Sequence, residues 1–149
     1  MSYHVWSTDG FGFCVSDIET TPAKLLELAS LRPEVLSDVR AYLADYFNGE
    51  EYKDEDLTME AFDEFEGAYG EYGVAAVLYQ VIWQDFDATV VSNFNGDWYI
   101  LYTPKYPWTL SALDKELTKE RLIEIYNEYI RVLTDKPVEI TFCTVENGG

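Results

Sequence analysis

The side chains with an obvious capacity for chemistry are few. His4 is the single histidine, and Cys14 and Cys143 are the two cysteines. Residues 3–16 read as a β-hairpin, with Thr8-Asp9-Gly10 as the turn between two alternating apolar runs. A three-residue loop there sets His4 opposite Cys14 and Trp6 opposite Gly12, and a Cys–His pair is the minimum for a thiolate nucleophile. A two-residue loop dissolves that pair and leaves ordinary cross-strand neighbours. One histidine and two cysteines do not supply the three or four ligands of a zinc site. Asp54, Asp56 and Thr58 open like a calcium loop, but Met59 stands where the loop needs glycine and Phe65 where it needs its closing Glu. Only loose association of calcium or magnesium with the carboxylates is left, and no cofactor is expected. The glycine-rich phosphate loops and the G-x-S-x-G nucleophile elbow are missing as well. Nothing singles out two carboxylates for glycoside chemistry, so no catalytic residue is assigned and the expectation is a protein that is not an enzyme.

The distinctive chemistry is acidic. The chain carries 28 Asp and Glu against 10 Lys and Arg, a formal net charge of −18 over 149 residues. The charge is concentrated in residues 41–104, where one basic residue, Lys53, stands against fourteen acids, a net −13. Seven of these acids fall within residues 54–66. Drawn as a continuous helix, that stretch spans about 20 Å, roughly one charge per 3 Å, close to the phosphate spacing of a DNA strand. Glu50, Glu51, Asp54, Glu55, Asp56, Glu60, Asp63, Glu64 and Glu66 are the candidate partner-binding residues, as substitutes for phosphates against Lys and Arg. Tyr46, Tyr52 and Tyr69 lie among them and are the candidate anchors, since tyrosine offers both contact area and a hydroxyl. Set against this is the plainer reading, that the acids are solvated helix faces and a mobile loop while the aromatics serve the core. The near-absence of compensating cations favours a functional surface, because ordinary surfaces mix signs. The profile resembles, in composition alone, the acidic proteins by which phages and mobile elements block restriction or CRISPR enzymes.

The elements that must position these residues follow from periodicity. Thr21 is placed to cap a helix that starts at Pro22, with Leu25, Leu28 and Ala29 inward. Pro33 opens a second helix, 33–47, with Val35, Leu36, Val39, Leu43 and Phe47 at helical spacing and Asn48-Gly49 as the stop. Residues 50–57 read as a charged loop. Thr58 is placed to cap a short helix with Phe62 and Phe65 inward. A helix over about 73–85 is expected from Tyr72, Ala75, Ala76, Tyr79, Ile82, Trp83 and Phe86, although Val74, Val77 and Val81 would also suit a buried strand. Asn95-Gly96 is read as a type I′ turn between strands 88–94 and 97–103, closed by Pro104 and Pro107. A long helix over 118–134 presents Leu122, Ile125, Tyr126, Tyr129, Ile130 and Leu133. A last strand, 138–145, alternates Val138, Ile140 and Phe142 against Glu139, Thr141 and Cys143. The fold class expected is α+β: an antiparallel sheet of about five strands, two hairpins plus a C-terminal strand, with helices packed on one face of a single domain spanning 1–149.

These properties bound the function. A charge of −18 disfavours direct contact with nucleic acid or an anionic membrane. The longest apolar run, 74–79, is far short of a membrane span. The first residues lack the basic and apolar regions of a secretory signal, and two cysteines make no disulfide framework, so a reduced, cytoplasmic setting is expected. The leading expectation is an acidic, non-enzymatic binding protein. It would engage a basic protein surface as an inhibitor that mimics nucleic acid, on a nuclease, restriction or CRISPR-type enzyme. The alternatives are an immunity-type protein capping a toxin nuclease, and a small enzyme of unknown class.

Overall fold

The computed structural model describes residues 5–103 and 117–148. Among them are four strands and five α-helices. The strands are β1 Val5–Cys14, β2 Thr89–Ser92, β3 Trp98–Tyr102 and β4 Thr141–Gly148. The helices are α1 Pro22–Ala29, α2 Pro33–Tyr46, α3 Met59–Asp63, α4 Val74–Trp83 and α5 Lys119–Leu133. The strands form one antiparallel sheet in the order β2-β3-β1-β4. The class is α+β, with four strands where about five were expected.

The missing strand is accounted for at Asp9-Gly10. No turn forms there: β1 runs straight through, pairing with β3 along Phe11–Cys14 and with β4 along Val5–Gly12. The glycine that reads as a turn residue is instead a point of close approach. A Cβ on Gly10 would lie 2.8 Å from Leu101 Cβ, and one on Gly12 would lie 1.8 Å from the Ile100 carbonyl oxygen. Glycine within a central strand commonly marks such a contact. The hairpin on which a pairing of Cys14 with His4 depended does not form. Cys14 faces Tyr99 across the β1–β3 ladder and Trp6 faces Asn147, while His4 lies outside the described residues.

Register decides which side chains meet the helices. Phe11 pairs with Tyr102, and Ile100 pairs with both Phe13 and Val90. Directly opposed residues share a face, and these five side chains belong to the main core. Over this face lies α4, whose Ala75–Ile82 is buried at every position except Gln80. Its valines do not make it a strand: a ten-residue segment buried around most of its circumference suits a helix. Tyr72 and Trp83, expected inward, are exposed. α1 packs against α4 and α5, and α5 buries the six residues its periodicity indicates. Thr21 Oγ1 accepts from the Lys24 N–H, capping α1. Asn48 and Gly49, both at positive φ, end α2.

Two strand expectations need correction. The β2–β3 loop is not a type I′ turn: only Gly96 has positive φ, and the Gly96 N–H donates to Asn93 O, giving a three-residue loop with glycine at its left-handed position. The two prolines expected to close this hairpin lie outside the described residues. β4 starts at Thr141 rather than at 138, and Val145 is its buried side chain while Phe142 is 56% exposed. The alternation of 138–145 reads equally well in either parity, and the register against β1 selects the one that buries Val145. Asn147 Nδ2 donates to Ser92 O at 2.7 Å, drawing β4 toward β2 so that the sheet curls.

Candidate acidic interface

The acidic stretch is not one helix. Asp54–Asp56 forms a 3-10 turn and α3 spans only Met59–Asp63; Thr58 stands at its N-terminus but its side chain makes no capping hydrogen bond, contrary to expectation. Leu57 between the two, Ala61 and Phe62 within α3, and Phe65 after it are buried in the core. These four anchors fix the segment to the body of the protein and leave the polar positions outside. Glu50, Glu51, Asp54, Glu55, Asp56, Glu60, Asp63, Glu64 and Glu66 are all exposed.

Among the described residues, only one of the nine carries an ion pair. Arg40, on α2, holds Asp54 in a two-pronged contact, Nη1 to Oδ1 at 2.8 Å and Nη2 to Oδ2 at 3.2 Å. The hydrogen bond from Arg40 holds the Asp54 carboxyl below its ordinary range and raises the guanidinium in turn. Arg40 lies one position before the residue 41 boundary, so a charge count along the chain does not reveal it. Asp56 Oδ2 accepts from the Lys53 N–H at 3.3 Å, which closes the 3-10 turn. The other seven make neither an ion pair nor a side-chain hydrogen bond among the described residues.

The tyrosines divide. Tyr52 is a structural tether: its ring stacks on Phe47 with centroids 4.8 Å apart, and its hydroxyl accepts from Arg40 at 3.4 Å. Phe47 meets Tyr46, Tyr46 meets Tyr42, and Tyr42 meets Phe65. This aromatic chain ties the end of α2 to the acidic segment. Burial, together with the charges of Glu64, Tyr46 and Asp63, pushes the Tyr42 hydroxyl up. Tyr46 and Tyr69 are freer, 42% and 68% exposed. Of the three candidate anchors, Tyr52 is thus half-buried against the fold, and Tyr46 and Tyr69 are exposed.

Glu71, one of the fourteen acids of the block, is fully buried. Its Oε2 accepts from the Tyr69 N–H at 2.9 Å, and its Oε1 has no hydrogen-bond partner among the described residues. The signal that could have found it is the spacing Gly67-x-x-Gly70-Glu71-x-Gly73, a tight turn whose backbone folds over one side chain. Gly67 N–H donates to Glu71 O and Gly73 N–H to Phe65 O.

Burial pushes the thiols of Cys14 and Cys143 up, so both are poor nucleophiles at neutral pH. Among the described residues, no three His, Cys, Asp or Glu side chains are grouped to hold a metal ion, and no helix is long and apolar enough to cross a membrane. Comparison with protein-family models, with curated proteins and with solved structures finds nothing that matches this chain.

Proposed function

We propose that this is a non-enzymatic binding protein of the cytoplasm, acting as one domain, whose acidic surface occupies the basic nucleic-acid-binding groove of an enzyme and so inhibits it. A nuclease, a restriction enzyme or a CRISPR-type effector has the required groove. The observation that supports this reading is the exposure of all nine carboxylates with a single ion-pairing cation, Arg40, among the described residues. Uncompensated carboxylates at this density repel one another, and a surface of Lys and Arg relieves that repulsion while displacing the partner's own phosphate ligand. Asp54 is already satisfied by Arg40, so Glu51, Glu55, Asp63 and Glu64 are the better phosphate substitutes. Tyr46 and Tyr69 are the better anchors, because Tyr52 is held within the fold.

The test is parallel capture from bacterial lysate with the wild-type protein and with a variant carrying Glu51→Lys, Glu55→Lys, Asp63→Lys and Glu64→Lys. Retention by the wild type alone of a basic nucleic-acid enzyme, eluted by added DNA, supports the reading. Equal retention by both proteins, or none by either, contradicts it.

A further inference from the structure

A cavity of about 490 Å³ opens between α2, α4 and the 65–71 turn. Four carboxylates line it: Glu34 and Asp38 from successive turns of α2, Glu66, and the buried Glu71. Among the described residues, no Lys or Arg lines it. Trp83 and Tyr69 stand at the cavity, both well exposed, 47% and 68%. The Tyr79 ring meets Tyr69 edge-on at 5.8 Å and its hydroxyl is engaged by Ala88 O, so its ring is presented in a fixed orientation.

Glu71 distinguishes this cavity from an ordinary acidic surface. A carboxylate taken out of water is costly unless its oxygens are paired. One oxygen of Glu71 accepts a backbone N–H and the other has no hydrogen-bond partner among the described residues. The turn is built around this group: a Cβ on Gly67 would lie 1.8 Å from Glu71 Oε1, so only glycine lets the carboxylate sit there. The fold thus holds an incompletely satisfied carboxyl group against a cavity with three further acids and aromatic walls.

We propose that this cavity binds a guanidinium group, the side chain of an arginine carried by the basic partner. A guanidinium is planar, stacks on aromatic rings and is more weakly hydrated than an ammonium. It carries donors enough for several carboxylates at once. The occupant's identity as a partner's arginine rests on the functional reading above, but the chemistry of the cavity does not, and the two are tested apart.

The test is a titration of the intact protein with N-acetyl-arginine amide, N-acetyl-lysine amide and N-acetyl-citrulline amide, followed by backbone amide NMR. The arginine compound is expected to shift saturably the amides of residues 66–73 and 80–84, the lysine compound to bind more weakly, and the neutral citrulline isostere not to bind. Glu71→Gln keeps the shape and removes the charge, and it should weaken arginine binding by about tenfold or more. Trp83→Ala, at an exposed position, should weaken it while leaving the fold intact. Citrulline binding as tightly as arginine, lysine binding equally well, or Glu71→Gln and Trp83→Ala both binding like wild type would overturn the proposal. The fourfold reversal variant above should still bind the arginine compound, so loss of the partner and loss of the cavity are read separately.

Discussion

Among the described residues, Arg40 and Asp54 form the one ion pair within the candidate interface, and its weight is modest. Both side chains are about half exposed, so the pair is screened and contributes about 0.5 kcal/mol. Because Arg40 lowers the folded-state pKa of Asp54, this contribution is present above the unfolded carboxylate pKa and is lost as pH falls through the folded one. Asp54→Asn should therefore cost about 0.5 kcal/mol at neutral pH and nothing in strong acid, as denaturant melts at the two conditions will show. The tyrosines behave in the opposite sense. Burial, reinforced for Tyr129 by its hydrogen bond to Asp85, pushes Tyr79 and Tyr129 up to about 12. A raised pKa stabilises the fold below the unfolded tyrosine value and is lost as pH rises through the folded one. Spectrophotometric titration of the folded protein should show a late-ionising set of tyrosines that merges with the rest once the chain is unfolded.

At the scale of elements, β1 depends on two glycines that are not equivalent. Gly12→Ala would drive a Cβ to 1.8 Å from the Ile100 carbonyl oxygen, whereas a Cβ on Gly10 comes no nearer than 2.8 Å to Leu101 Cβ and 2.9 Å to the Tyr102 carbonyl oxygen. Gly12→Ala should cost about 3 kcal/mol, and Gly10→Ala distinctly less. Denaturant melts of the two variants compare them directly; equal costs would contradict the close approach of β1 to β3. These glycines also show where sequence reading falls short. Helix periodicity identifies α5 and its inner face residue by residue, because 3.6-residue spacing is a local property. Pro22 and Thr21, and Pro33 with Asn48-Gly49, mark α1 and α2 for the same reason. Asp9-Gly10 misleads because a turn and a close interstrand approach both call for glycine, and only the partner strand, about ninety residues away, decides between them. The parity of β4 is likewise set by its register and not by its own alternation. In the acidic segment, exposure was legible because carboxylates avoid burial. Glu71 was not, since its burial is created by backbone turns on either side of it.

For the molecule as a whole the dominant quantity is a net charge of −18. Self-repulsion at this charge destabilises the compact state, and salt screens it over about 10 Å at 0.1 M. The melting temperature should rise with added sodium chloride; a fall would mean that specific ion pairs outweigh the repulsion. Four acid-to-Lys reversals change the net charge from −18 to −10. The reversal variant should thus be at least as stable as wild type, which separates a loss of binding from a loss of fold. The candidate interface rests on three features: core anchors at Leu57, Ala61, Phe62 and Phe65, an aromatic chain that fixes the segment to α2, and exposed carboxylates with one ion pair among the described residues. The measurement that bears most directly on nucleic-acid mimicry is displacement of labelled DNA from the captured enzyme by this protein, repeated over a range of salt. Mimicry predicts complete, competitive displacement that weakens steeply as salt rises. A ternary complex of enzyme, DNA and protein, or displacement indifferent to salt, would contradict it.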